Sequence, residues 1–322
     1  MLSVGLWAGF ILFVFVMLAI DLGLLHKKGD VISARRAALW TGLCIATAML
    51  FNVAVYFIYG KAGLDYDNRL SGADAAKFFF TGWLIEQSLS LDNIFVIALI
   101  FDYFRVPRAY QHRTLFWGIL GALVMRGGMI GAGAALIRRF DWITYIFGGL
   151  LIVTAYKMYR SKEESVEPDR NPLVRMARRL YPVTPEFHKE RFFVRMNGKA
   201  AITPLFLVLL VVESTDLLFA VDSIPAIFAV TKEPFIVFTS NVFAILNLRS
   251  MYFVLASAID KFKYLKPSLI LVLAYVGVKL ILAHTYEISS TISMLVVLSV
   301  LGGGVVTSVI SNRRAQRRAI VP

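Results

Sequence analysis

Two stretches decide how this chain folds: Glu86-Gln-Ser-Leu-Ser-Leu-Asp92-Asn93-Ile94 and Asp216-Leu-Leu-Phe-Ala-Val-Asp222-Ser223-Ile224. Each sets two acids six residues apart inside an apolar run, and each is followed by the same basic punctuation. Leu123-Val-Met-Arg126 is echoed by Leu246-Asn-Leu-Arg249, and Ala155-Tyr-Lys157-Met158 by Gly277-Val-Lys279-Leu280. The three correspondences keep their order at offsets of 130, 123 and 122 residues. Self-similarity at a near-constant spacing marks an internal repeat.

The chain around these stretches is a membrane chain. Of its 322 residues 58% are hydrophobic and only 17% charged, where a soluble domain carries about 25%. That composition excludes a soluble domain and a disordered one. Met1–Ile20, Ala37–Gly60 and Ile288–Asn312 are uncharged runs, each near the roughly 20 residues that a spanning helix needs. Further spans are expected near 78–101, 115–137, 142–159, 200–224, 235–259 and 267–284, for about nine transmembrane helices in all. No Lys or Arg precedes the first run, so it reads as a retained helix and not a cleaved signal.

Lys and Arg sort by side. The segments after the first, third, fifth, seventh and ninth spans hold 24 of them, and those on the opposite side hold six. Positive charge stays cytoplasmic, which predicts an N-terminus outside and a C-terminus inside. The net charge of +13 therefore reports topology and no nucleic-acid partner. Residues 1–322 read as a single transmembrane domain with one sizeable loop, 160–199. Its Pro168, Pro172, Pro182 and Pro185 suggest a solvated cytoplasmic linker with a short interfacial helix near Leu173–Leu180. The repeats, about 78–159 and 200–284, are three-helix units of helices 3–5 and 6–8. An odd number of helices separates their starts, so the second unit is inverted, an arrangement common among secondary transporters. Gly127 and Gly131 in the fourth span form a GxxxG spacing suited to close packing.

Charges inside spans narrow the function. Four bases (Arg126, Lys157, Arg249, Lys279) and six acids (Asp21, Glu86, Asp92, Glu213, Asp216, Asp222) fall there, each costing about 2.5–3.5 kcal/mol at mid-membrane. Asp21, Lys157 and Asp222 lie near span ends, where side chains snorkel. The bases are expected to pair with the carboxylates of an empty site. Two carboxylates are left over, which a divalent cation or protons would neutralise. Glu213 and Asp216 share a helix face, about 4.5 Å apart along the axis. Glu86, Ser90 and Asn93 share another, with Asn93 adding an amide oxygen. Asp92 and Asp222 fall off those faces unless the helix breaks. Pro225, which cannot donate to the carbonyl of Val221, is the expected break. Every candidate ligand is an oxygen, which suits Mg, Ca or Mn. His26, His112, His188 and His284 lie in loops or at span edges, away from any zinc or copper site. The one cysteine, Cys44, rules out a disulfide framework or a CxxC pair.

At these residues the chain also resembles a known family. Glu86–Phe95, Val212-Glu213-Ser-Thr-Asp216-Leu-Leu-Phe-Ala-Val-Asp222-Ser-Ile-Pro225-Ala, Ser240-Asn241-Val-Phe-Ala-Ile-Leu246, Phe192–Gly198 and Phe235-Ile-Val are similar to the TerC family of bacterial inner-membrane proteins, nearest its Alx branch. The resemblance implies manganese export and an alkaline-pH response, with Glu86, Asp92, Glu213, Asp216 and Asp222 forming the metal path. Older labels in the family mention tellurite resistance or redox modulation. The expectation is a secondary transporter, not an enzyme, that exports Mn²⁺ in exchange for protons and holds no tightly bound cofactor. There is no Walker A motif to use ATP. The alternatives are a transporter of Ca²⁺ or Mg²⁺, or a metal-binding or redox-stress partner without transport. Such a partner would dock secretory machinery or a second copy. An intramembrane hydrolase using Asp92 and Asp222 would have no need of the four bases.

Overall fold

The computed structural model describes residues 4–25, 34–61, 70–140, 142–160, 171–196, 198–255, 264–282, 285–286 and 288–320. Within them the chain forms ten helices and one hairpin. The helices are α1 (Val4–Leu25), α2 (Ala34–Lys61), α3 (Gly72–Tyr103), α4 (Arg108–Arg139), α5 (Ile143–Arg160), α6 (Pro172–Leu180), α7 (Pro204–Phe228), α8 (Pro234–Leu255), α9 (Leu265–Leu282) and α10 (Ser290–Ile320). Strands β1 (Phe193–Met196) and β2 (Lys199–Ile202) pair antiparallel between α6 and α7.

Local chemistry starts these helices where they begin. Ser71 caps α3, its hydroxyl accepting from the Asp74 amide at 3.1 Å and donating to the Asp74 carboxylate at 2.7 Å, which satisfies donors that a helix start leaves open. Asn171 caps α6 by accepting from the amides of Leu173 and Val174. Pro172 and Pro204 sit in the first turns of α6 and α7, where a missing amide hydrogen costs nothing.

Among the described residues six helices, α1, α2, α4, α7, α8 and α10, are long and apolar enough to cross a membrane. Their outer faces expose side chains that water would reject, such as Leu12 at 65% and Val124 at 70%. The protein is an all-α polytopic membrane protein. α8 is its axis: 89% of its apolar window is buried, against 17–39% in the other five. α8 packs on α2, α3 and α4, α7 packs on α3 and α4, and α5 lies along α9. α10 closes the side formed by α9 and α3.

Two apolar masses pack along the contact of α3 with α8. At one end the rings of Phe10, Phe51, Phe79, Phe235 and Phe243 meet at centroid distances of 4.9–6.4 Å. At the other, Ile97, Phe101, Leu115, Val208 and Leu248 pack with Val174 and Ala177 of α6. On α8, Thr239, Ser240 and Asn241 are buried between Ile236 and Val242 of the first mass.

The structure corrects two expectations. α7 continues through Pro225 without a break; the proline falls three residues before the helix end, where losing one hydrogen bond to Val221 does not interrupt the helix. The 160–199 loop is also more than a linker. Besides the expected short helix it holds the hairpin, tied back by a bridge between Val183 and Ile202 and by the Thr184 amide donating to Ile202. Alternating residues in a chain of mixed charge gave that hairpin no apolar pattern to announce it.

α5 and α9 meet glycine to glycine. A Cβ on Gly148 would stand 2.9 Å from the Gly277 carbonyl oxygen, and one on Gly277 would stand 3.0 Å from that of Gly148. The helices touch backbone to backbone, so any side chain there must push them apart, at a cost of about 1–3 kcal/mol. Gly148→Val is expected to lower the thermal unfolding midpoint of the detergent-purified protein. Gly149→Val, where a Cβ meets nothing within 4 Å, should leave it unchanged.

Candidate functional site

Four helices aim one polar group each, or more, at a single point. Glu86 and Asn93 come from α3, Arg126 from α4, Asp216 and Ser223 from α7, and Asn241 from α8, and none is more than 5% exposed. Arg126 is the hub. Its Nε and Nη2 donate to the two oxygens of Asp216 at 3.1 and 2.8 Å, the bidentate fork that a guanidinium makes best. Its Nη1 is in contact with Glu86 Oε1 and lies 3.4 Å from Ser223 Oγ and from Asn241 Oδ1. Asn93 Nδ2 donates to Asp216 Oδ1 at 2.8 Å.

Glu213 stands one turn from Asp216, facing α4. Its carboxylate occupies a notch that exists because residue 121 is glycine: a Cβ there would overlap the carboxyl atoms of Glu213. No ion pair holds Glu213 among the described residues, and its Oε2 is buried without a donor. Two carboxylates, Glu86 and Asp216, therefore share one guanidinium, and Glu213 stands beside them without a cationic partner among the described residues. Glu86 Oε2, Asn93 Oδ1, Ser90 Oγ and Gln87 Oε1 are likewise buried without partners. Orphaned acceptors beside excess negative charge call for a cation, and all of them are hard oxygens.

The remaining expected residues are dispersed. Asp222 is six residues on from Asp216 along an unbroken helix, so it faces α5, where Thr154 Oγ1 donates to it at 2.8 Å. Lys157, three residues beyond Thr154, is exposed but within electrostatic range of Asp222. Among the described residues Arg249 pairs with none of the central acids: its Nη2 lies 2.8 Å from Asp21 Oδ1 and donates to the Asp21 carbonyl at 3.1 Å. Asp21, expected to snorkel, is instead 5% exposed. Lys279 is half-buried with no carboxylate partner among the described residues. Asp92 lies on α3, with its side chain outside the described residues. Among the described residues no three His, Cys, Asp or Glu side chains form a ready metal cage: the guanidinium stands among the acids.

Sequence reasoning did not find Ser223, Asn241, Gly121 or Asp21 as parts of these arrangements. Asn241 sits in the Ser240-Asn241 stretch, and a buried polar pair inside an apolar helix was its one available signal.

The family model for integral membrane proteins of the TerC family matches residues 71–318. The chain belongs to the TerC family. It is 48% identical to an uncharacterized membrane protein of Myxococcus xanthus, over 97% of this chain and 94% of that one. It is 45% identical to Alx of Escherichia coli strain K12, provisionally described as a membrane-bound redox modulator, over 92% of this chain and 91% of that one. A membrane protein of Rickettsia bellii is 38% identical over 97% and 99% of the two chains. No solved structure matches the chain. In this TerC protein the whole Arg126 cluster lies inside the matched region, whereas Asp21, the counterion of Arg249, lies on α1 before it.

Removing one member of a buried ion network leaves its partners charged and unpaired, at about 3–5 kcal/mol. Arg126→Gln is expected to lower the unfolding midpoint markedly, and adding Glu86→Gln should recover part of the loss. A double mutant no more stable than Arg126→Gln would show that the two groups do not share charge.

Proposed function

We propose that this protein is a secondary transporter that exports Mn²⁺ across the bacterial inner membrane in exchange for protons. The observation that carries the reading is a cluster of three carboxylates: Glu86 and Asp216 are held by one guanidinium, and Glu213 stands beside them without a cationic partner among the described residues, with buried oxygens that lack donors nearby. A fixed structural pair would need one acid for one base. An excess of acid at a dry crossing point suits a site that takes up a divalent cation and releases it to protons.

In this reading Arg126 is a tethered counter-cation. It neutralises Glu86 and Asp216 when no ion is present and gives way when Mn²⁺ arrives. Glu213, in its glycine notch, is the acid free to meet the ion first. Asn93 supplies an amide oxygen and fixes Asp216 through its own donor. A cavity of about 20 Å³ lies beside Asn93 and Asp216, walled by Ile97, Leu115, Val212 and Leu248. That is room for about one water, so the ion must shed most of its shell or the apolar end must part.

The wider reading is of nine spans, N-outside, with two inverted units, and the helix pairings fit a repeat. Exchanging α3, α4 and α5 with α7, α8 and α9 turns the α3–α8 contact into the α7–α4 contact, and both are present, as is the α5–α9 contact that the exchange leaves in place. The Gly148–Gly277 crossing is its own counterpart under that exchange. Lys157 and Lys279 then stand nine and two residues past the crossing, so their match at an offset of 122 is not carried by the packing. Cys44, the single cysteine, is buried, which gives dithiol redox chemistry no partner.

The test is Mn²⁺ flux into proteoliposomes carrying a pH dye. Mn²⁺ movement with opposing proton flux in the native protein, and neither in Asp216→Asn, is expected. Asp216→Asn that still transports would overturn the site. Movement without a pH change would overturn proton exchange.

A further inference from the structure

We infer that α6 is a docking surface for the anionic phospholipid headgroups of the leaflet on its side of the membrane. This inference stands apart from transport, since it concerns where α6 sits and what it touches.

At 100° per residue the eight residues of α6 after Pro172 sort into three stripes. Val174 and Ala177 form one and are buried against the α7 end of the bundle, with Leu205 and Val208 in the same cluster. Leu173, Met176 and Leu180 form the next, exposed by 37%, 53% and 67%. Arg175, Arg178 and Arg179 form the third. The helix is thus apolar on two adjoining sides, and the protein covers only one of them.

The second apolar stripe needs an occupant, and two features identify it. The first is continuity: α6 packs on α7, a helix apolar enough to span the bilayer that exposes Leu217 and Leu218 further along. The uncovered stripe therefore lies at the rim of a lipid-facing surface. The second is charge: residues 171–203 carry seven Lys or Arg against two Glu. An amphipathic helix with a basic face, lying at the rim of a spanning bundle, matches an interface that is apolar below and negatively charged above. A free phosphate would meet the positive charge of this segment but leave Leu173, Met176 and Leu180 in water.

The experiment places one reporter on the stripe. Cys44→Ala with Met176→Cys gives a single labelling site for an environment-sensitive dye on the full-length protein. The protein is reconstituted in phosphatidylcholine alone or mixed with phosphatidylglycerol. Lipid-borne bromine should quench the dye severalfold more than aqueous iodide does, and more strongly with phosphatidylglycerol present. High salt or Arg179→Gln should shrink that phosphatidylglycerol effect. A dye open to iodide and untouched by brominated lipid in both membranes would overturn the assignment and favour a protein as the occupant. Quenching by lipid that ignores phosphatidylglycerol would overturn the anionic part.

Discussion

The rest of the structure depends on a single guanidinium held among carboxylates where water is scarce. Arg126 cannot lose its proton at any accessible pH, so wherever it is buried it must be paired, and it is paired with acids from two other helices. Glu86 ties α3 to α4 and Asp216 ties α7 to α4. Remove the charge and the two acids are stranded; remove the acids and the arginine is. That mutual need sets the relative depth of α3, α4 and α7, with α8 contributing Asn241 from the centre of the bundle.

The two apolar masses make this constraint sharp. Phenylalanine rings seal one end of the α3–α8 contact, and Ile97, Leu115, Val208 and Leu248 seal the other with help from α6. An ionic network buried among apolar side chains is poorly screened, so a change in one charge is felt by all the others. The second buried pair is Asp21 with Arg249. Arg126 and Arg249 correspond by sequence, yet one holds the central acids and the other is held by α1.

Much of this was legible in the chain. The long apolar runs located the six helices that are apolar enough to cross a membrane, with ends off by as many as eight residues, and a short helix was expected near Leu173–Leu180, where α6 lies. The inventory of ten charges inside spans contained Arg126, Glu86, Glu213 and Asp216, without separating Arg126 from the other three bases. What was not legible was pairing across distance. Arg126 reaches Asp216 over 90 residues and Arg249 reaches Asp21 over 228, and no local pattern encodes such a match. The Gly121 notch became visible only when α7 was laid against α4. Pro225 misled for a related reason: whether a proline breaks a helix depends on where that helix ends, and tertiary packing sets the end at Phe228.

The most direct measurement of the central claim, that Arg126 stands in for the transported ion, is thermal unfolding of Arg126→Gln with and without Mn²⁺. A ligand that binds only the folded state stabilises it by mass action. The account predicts that Mn²⁺ raises the midpoint of Arg126→Gln well beyond its effect on the native protein, because the ion then fills the place of the missing charge. A midpoint in Arg126→Gln that Mn²⁺ leaves unmoved would contradict it.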